Sequence, residues 1–197
     1  MRNASVVLIL LAAGSSTRFG TDKLSFQIDG MPMLSRSIRF YAKDSMSSII
    51  TKRILVTQPF QEHFISEAEA IGYEIALNTH PERGISESIR IGLERTNPSD
   101  VDGYLFSVAD QPYLTEKTVL RLLTKFKEDT SRIVVPVAEE QSGNPVVFPA
   151  SYYKELCLLE GDCGGKQVVR KYQSSTVIVD VEKRELKDID VESEVSL

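Results

Sequence analysis

The chain has 197 residues, 42% of them apolar, enough for one domain with a sizeable core and short for two. A formal net charge of −5 argues against nucleic acid as a partner, because proteins that bind it usually carry a basic face that neutralises phosphates. The two cysteines, Cys157 and Cys163, form no C-x-x-C pair and have no zinc-like spacing to His63 or His80, which argues against a disulfide framework and structural zinc.

The first apolar stretch, Val6 to Ala13, is too short to span a bilayer, and the positive leader plus cleavage pattern of an export signal is missing. The expected location is cytoplasmic, without membrane contact. Val6 to Leu11 reads as a buried strand that runs into a loop of small residues. Further strand-length runs follow at Arg53 to Thr57, Tyr73 to Leu77, Tyr104 to Val108, Ile133 to Val137, Val146 to Phe148 and Thr176 to Val181. Between them, Met33 to Lys43, Phe60 to Ile71, Ser86 to Arg95 and Thr115 to Glu128 carry apolar residues at helical spacing, the last with Leu120, Leu123 and Phe126 along one side and Thr115 as N-cap. Gly165 to Tyr172 also reads as helical. This alternation predicts an α/β fold: a Rossmann-like three-layer α/β/α sandwich with a mostly parallel sheet, one domain spanning residues 1–197. Ligands of such sheets sit beyond the carboxyl ends of the strands. The charged tail, Glu182 to Leu197, is expected to run along the surface.

The loop after the first strand reads L-A-A-G-S-S-T-R-F-G-T-D-K. Turning over a bound phosphate requires residues without bulk, so that backbone N–H groups can approach the oxygens, and Ala12, Ala13, Gly14, Ser15 and Ser16 meet that need. Arg18 and Lys23 add a planar fork and a point charge suited to a polyphosphate. The loop is neither G-x-x-x-x-G-K-[ST] nor G-x-G-x-x-G, so the ATPase and dinucleotide readings lose their main support. A tight turn with two solvated cations is the alternative. Asp110 should emerge at the end of its strand, where it reaches the crevice or forms a turn; Asp162 either reaches the crevice or caps the helix after it.

The pattern L-A-A-G-x-S-x-R-x-G-x-x-K, present as Leu11, Ala12, Ala13, Gly14, Ser16, Arg18, Gly20 and Lys23, resembles the signature of nucleotidyltransferases with a nucleotide-diphospho-sugar transferase fold. Within that group it most resembles the molybdenum cofactor cytidylyltransferase family, which has a MobA-like NTP transferase domain. Asn78 to Leu93, Val108-Ala-Asp-Gln-Pro112, Ser142 to Phe148 and Leu159 to Lys166 agree in the same order, so the likeness covers nearly the whole chain.

The resemblance implies magnesium-dependent transfer of CMP from CTP to a molybdopterin-type acceptor, with release of pyrophosphate. It implies Arg18, Lys23 and Asp110 as catalytic residues and Asp110 with Asp162 as magnesium ligands. The nucleotide would be bound by Leu11 to Ser16, Arg18, Lys23, Asn78, Gly84, Ile85, Ser86 and Asp110. A molybdenum hydroxylase is the implied recipient of the product.

Two departures bear on the substrate. Gly143-Asn144-Pro145 stands where cytidylyl-type members usually read G-H-P, and Asn144 cannot titrate near neutral pH as histidine can. Ala13 matches the cytidylyl-type L-A-A-G, its methyl leaving less room than the glycine of guanylyl-type relatives, whereas Thr21-Asp22-Lys23 is similar to the guanylyl ending. The expected preference is CTP over GTP. The alternatives are guanylyl or other nucleotidyl transfer to a different phosphorylated acceptor, and a non-catalytic carrier of the molybdenum cofactor, which would need no pair of metal carboxylates. His63, His80, Lys166, Arg170 and both cysteines read as surface or packing residues.

Overall fold

The computed structural model of the chain describes residues 4–14 and 23–189. Strand β1 (Val6–Leu11) is apolar throughout because both of its faces are covered. Val6, Leu8 and Leu10 enter one core cluster, and Val7 and Ile9 enter a second on the opposite face. A small antiparallel hairpin, β2 (Gln27–Ile28) and β3 (Met31–Pro32), follows the loop. Asp29 and Gly30 at its tip have φ of 51° and 77°, the positive pair that lets a two-residue turn match the twist of its strands.

Helix and strand then alternate as α1 (Met33–Tyr41), β4 (Ile50–Thr57), α2 (Glu62–Ala70), β5 (Glu74–Leu77), α3 (Ile85–Leu93), β6 (Gly103–Val108), α4 (Glu116–Glu128) and β7 (Ile133–Ala138). The rest comprises β8 (Gln141–Ser142), β9 (Val146–Pro149), α5 (Tyr153–Cys157), α6 (Lys166–Lys171) and β10 (Thr176–Asp180), joined by short 3-10 turns. The main sheet runs β10-β7-β9-β6-β1-β4-β5, with β8 beside β7. Strand β1 is parallel to β4 and β6, β4 to β5, and β7 to β10. Strand β9 is antiparallel to both neighbours, since the short link 139–145 cannot make the crossover a parallel partner needs.

Leu34 and Ile38 of α1, Phe64 and Ala68 of α2, and Leu122 and Phe126 of α4 pack on one face of the sheet. Ile89 and Leu93 of α3, Leu156 of α5 and Val168 of α6 cover the other, giving the expected three layers. Each of the larger side chains among these contributes about 1.5–3 kcal/mol when fully buried. Thr115 caps α4 as expected, its hydroxyl accepting from Thr118 N–H. The buried stripe of α4 is Val119, Leu122, Leu123 and Phe126, with Leu120 only partly covered, so the inward face is rotated from the one read in the sequence.

The tail also departs from expectation. Instead of lying wholly on the surface, it buries Glu185 and Ile189, and Ile189 has no exposed area. The Glu185 carboxylate accepts from Thr115 N–H (3.0 Å) and Thr115 Oγ1 (2.6 Å) at the start of α4. Asp190 to Leu197 lie outside the described residues. Among the described residues no helix is long and apolar enough to cross a membrane.

Candidate active site

Strands β1 and β6 are parallel neighbours, so their carboxyl ends open on the same edge of the sheet. Backbone pairing persists just past each end, with Ala12 N–H donating to Val56 O (2.8 Å) and Ala109 N–H to Leu11 O (3.1 Å). Beyond these bonds both chains turn toward a cavity of about 310 Å³. Its wall brings together Leu11, Ala12, Ala13, Gly14, Lys23, Gly84, Ile85, Asp110 and Asp162 from the residues picked out in the sequence. Ser15, Ser16 and Arg18 lie outside the described residues.

Lys23 Nζ stands 2.8 Å from Asp110 Oδ2, and the two side chains are 12% and 27% exposed. Asp110 Oδ1 is buried with no hydrogen-bond partner among the described residues. A buried carboxylate oxygen left in this way has given up hydration without replacement, which a cation would supply. Asp162 reaches the same cavity, and among the described residues no cluster of three or more histidine, cysteine, aspartate or glutamate side chains forms. The donor set fits magnesium, which takes one or two carboxylates and completes its shell with water and phosphate oxygens. Asp162 does not cap α6, whose N-cap is Gly165 without a side-chain bond.

The turn carrying Asp110 is held from several directions. Ser37 Oγ in α1 donates to Ala109 O (3.1 Å), and Arg36 Nε to Pro112 O (3.2 Å). On the tail side, Ile189 N–H donates to Asp110 O (3.0 Å), while Gln111 Nε2 donates to Asp188 Oδ1 (2.8 Å) and Leu186 O (3.2 Å).

Gly84, in the cavity wall, also has a packing role that its motif did not imply. Its φ is +85°, and a Cβ there would stand 2.4 Å from both C and O of Gly161 and 2.7 Å from Asp162 N. Ser86 N–H donates to Gly161 O (3.2 Å) at the same place. Thus Gly84 and Ser86 receive the 160s loop against the start of α3, which carries Asp162 to the cavity. Ser86 is not part of the cavity wall.

Asn78 also stays out of the wall and is fully buried. Its Oδ1 accepts from His80 N–H (2.8 Å), which fixes the amide so that Nδ2 donates to Ser88 Oγ (3.0 Å). Ser88 does line the cavity, although the sequence analysis did not single it out. Gln58, just beyond β4, was missed altogether; its Nε2 donates to Ala13 O (3.2 Å) and Gly14 O (3.3 Å). Neither residue belongs to a recognisable local pattern, because their partners are distant in sequence or visible only in three dimensions.

A second cavity, of about 830 Å³, is lined by Gln111, the residue after Asp110. Asn144, Lys166, Lys183, Arg184 and Lys187 line it, and Gln111 Oε1 is a buried acceptor without a partner among the described residues. Arg184 stacks over the Tyr113 ring at 4.5 Å, and Lys183 pairs with Glu139 at 2.7 Å. His80 pairs with Glu82 on the exposed loop, while His63 lies exposed on α2. Burial pushes the Cys157 thiol above its ordinary value, and Cys163 is free and exposed. Thus Cys157 is a poor thiolate source.

Residues 8–177 match the model of the MobA-like NTP transferase domain. The chain is 27% identical over 150 residues to a probable molybdenum cofactor guanylyltransferase of Natranaerobius thermophilus, covering 76% of this chain and 67% of that protein. It is 24% identical to the purine catabolism protein PucB of Bacillus subtilis, covering 100% of this chain and 97% of that protein. Its fold matches that of Rv0371c from Mycobacterium tuberculosis H37Rv with a TM-score of 0.82, at 22% identity over 98% and 96% of the two chains. A structure of Rv0371c in complex with manganese matches with a TM-score of 0.77, at 20% identity over 96% and 95% of the chains. The sheet and its layers are therefore those of the nucleotide-diphospho-sugar transferase fold, and this chain, a nucleotidyltransferase, belongs to the MobA-like NTP transferase family.

Proposed function

We propose that this protein transfers CMP from CTP to a phosphorylated pterin of the molybdopterin type and releases pyrophosphate. The reading takes residues 1–197 as one nucleotidyltransferase domain in the cytoplasm, with a molybdenum hydroxylase as recipient of the product. Asp110 carries it: one oxygen is held by Lys23 and the other is buried without a partner among the described residues, beside a small-residue loop.

A terminal phosphate oxygen of the acceptor forms a bond to the α-phosphorus, and the bond from that phosphorus to pyrophosphate breaks. The acceptor is its own nucleophile, so the chain positions the reactants and offsets charge. Lys23 donates to phosphate oxygens, with Arg18 as its partner in that role. The amides of the loop beyond Ala12 cradle the anion, and Gly84 and Ile85 form the wall toward the nucleoside. Asp110 and Asp162 would hold magnesium, which when bound would supply positive charge to offset that of the phosphates. The second cavity, with its lysines and arginine, supports an anionic acceptor.

Two features support CTP. Ser88 Oγ accepts from Asn78 Nδ2, so its own hydrogen is left to donate into the cavity, where cytosine offers acceptors at O2 and N3. The Watson–Crick edge of guanine offers two donor groups and one acceptor. Ala13, which matches the cytidylyl-type sequence, lines the same cavity. Guanylyl transfer is the second reading, favoured by the naming of the Natranaerobius thermophilus relative. Pyrophosphate release from CTP, GTP and ATP, with and without molybdopterin, separates the two. Acceptor-dependent release from CTP is expected, and release from GTP in preference overturns the base assignment. No release from any of the three favours a non-catalytic carrier.

A further inference from the structure

The end of β4 carries a buried polar network that the proposed chemistry does not use. Thr57 is fully buried and Gln61 is 5% exposed. Gln61 occupies the N-cap position of α2, yet its side chain makes no capping bond. Its Oε1 instead points back along the chain, accepting from the Thr57 hydroxyl and from Gln58 N–H (3.3 Å). Gln61 N–H closes the turn by donating to Gln58 O (3.2 Å). Two buried polar side chains are thus spent on fixing the backbone of one residue, Gln58.

Gln58 extends from that fixed point to the loop after β1. A single Nε2 group donates to the carbonyls of Ala13 and Gly14, residues more than 40 positions away in the chain. The consequence follows from the planarity of the peptide bond. In a trans peptide the C=O and the N–H of the next residue point in opposite directions, so holding Ala13 O toward Gln58 turns Gly14 N–H away from it. Ala13 and Gly14 line the cavity, whereas Gln58 does not. Nothing else in the described ladder fixes these two carbonyls, because the backbone pairing of this segment ends at Ala12 N–H on Val56 O.

We infer that Gln58 is a positioning residue, which sets the peptide planes of the phosphate loop before nucleotide arrives so that its amides face the anion. The inference rests on the reading of this cavity as a triphosphate site. Presetting the planes removes part of the ordering cost of binding, so its loss appears in affinity. Because the amides meet phosphate and not the base, the loss is shared by every ligand carrying the pyrophosphate unit.

The test is calorimetric titration of CTP and of inorganic pyrophosphate, each with magnesium, into the wild type, Gln58→Met and Gln58→Asn. Methionine keeps the length without a donor; asparagine keeps the donor but is too short to reach both carbonyls. Both variants are expected to weaken CTP and pyrophosphate alike by about tenfold, raising KM more than they lower kcat, while the melting temperature stays near that of the wild type. Unchanged affinity in a folded variant overturns the inference. So does a loss confined to CTP, which would mean that Gln58 serves the base. If the wild type binds neither ligand, the triphosphate reading itself falls, an outcome distinct from the other two.

Discussion

Lys23 Nζ and Asp110 Oδ2 form a 2.8 Å ion pair across the cavity, linking the end of the glycine-spaced loop to the end of β6. In this state the lysine supplies the positive charge beside Asp110, whose other oxygen has no partner among the described residues. A nucleotide and its metal would divide the pair, with phosphate drawing the ammonium and the metal taking the carboxylate. Lys23→Met should lower turnover about 10²–10³-fold, the usual effect of removing one preorganised charge-stabilising group. In the same variant, Mn²⁺ binding measured by electron paramagnetic resonance without nucleotide should tighten, because the lysine no longer competes for Asp110. Weaker Mn²⁺ binding in Lys23→Met would mean that the lysine helps to build the metal site.

Gly84 gives a second test, directed at Asp162. A methyl group at position 84 would collide with Gly161 and Asp162 at 2.4–2.7 Å, on a backbone with φ of +85°. Gly84→Ala should cost about 1–3 kcal/mol in urea unfolding and, by displacing the loop, weaken divalent-metal binding. Unaltered stability would show that the loop moves aside freely; unaltered metal binding with reduced stability would remove Asp162 from the ligand set.

Ser88→Ala bears on base choice. Removing the hydroxyl takes away the donor offered to the cavity and leaves Asn78 Nδ2 without its acceptor. The expected result is a rise of about tenfold in KM for CTP, with KM for GTP changed far less. Equal losses for both nucleotides would assign Ser88 to the structure of α3 and not to base discrimination.

The main sheet strands and the longer helices were legible because their signals are local: continuous apolar runs where both strand faces are covered, and three- and four-residue spacing where one helix face is. The Asp29-Gly30 dipeptide was a local signal too, and marks the hairpin that was overlooked. The site was legible where motif residues meet the cavity themselves, as Ala13, Lys23 and Asp110 do. Supporting roles were less legible: Gly84 lines the cavity and also makes room for Gly161, while Asn78 stays outside the wall and holds Ser88. The tail was misread because its charge outweighs its one buried apolar anchor in a composition-based reading, although Ile189 is wholly buried and its N–H donates to Asp110 O.

That tail yields a pH-dependent expectation. Burial pushes the Glu185 carboxyl up, but hydrogen bonds from Thr115, Thr118 and the backbone together outweigh it and hold the group below its ordinary value of 4.5. The folded state therefore takes up this proton less readily than the unfolded chain. Its contribution is complete above the ordinary value and is lost as pH falls through the lower folded one. Glu185→Gln should melt below the wild type at pH 7, and the gap should close on acidification below about pH 4. A gap that persists unchanged to pH 3 would mean that the charge of Glu185 does not fasten the tail.

The most direct measurement is an anomalous difference map from crystals of the wild type grown with Mn²⁺ and a non-hydrolysable CTP analogue. The expected map has its metal peak at coordination distance from Asp110 Oδ1, with the triphosphate against Ala13 and Gly14 and Lys23 Nζ moved onto a phosphate oxygen. A metal peak elsewhere, with nucleotide outside this cavity and the Lys23–Asp110 pair intact, would contradict the assignment of the site.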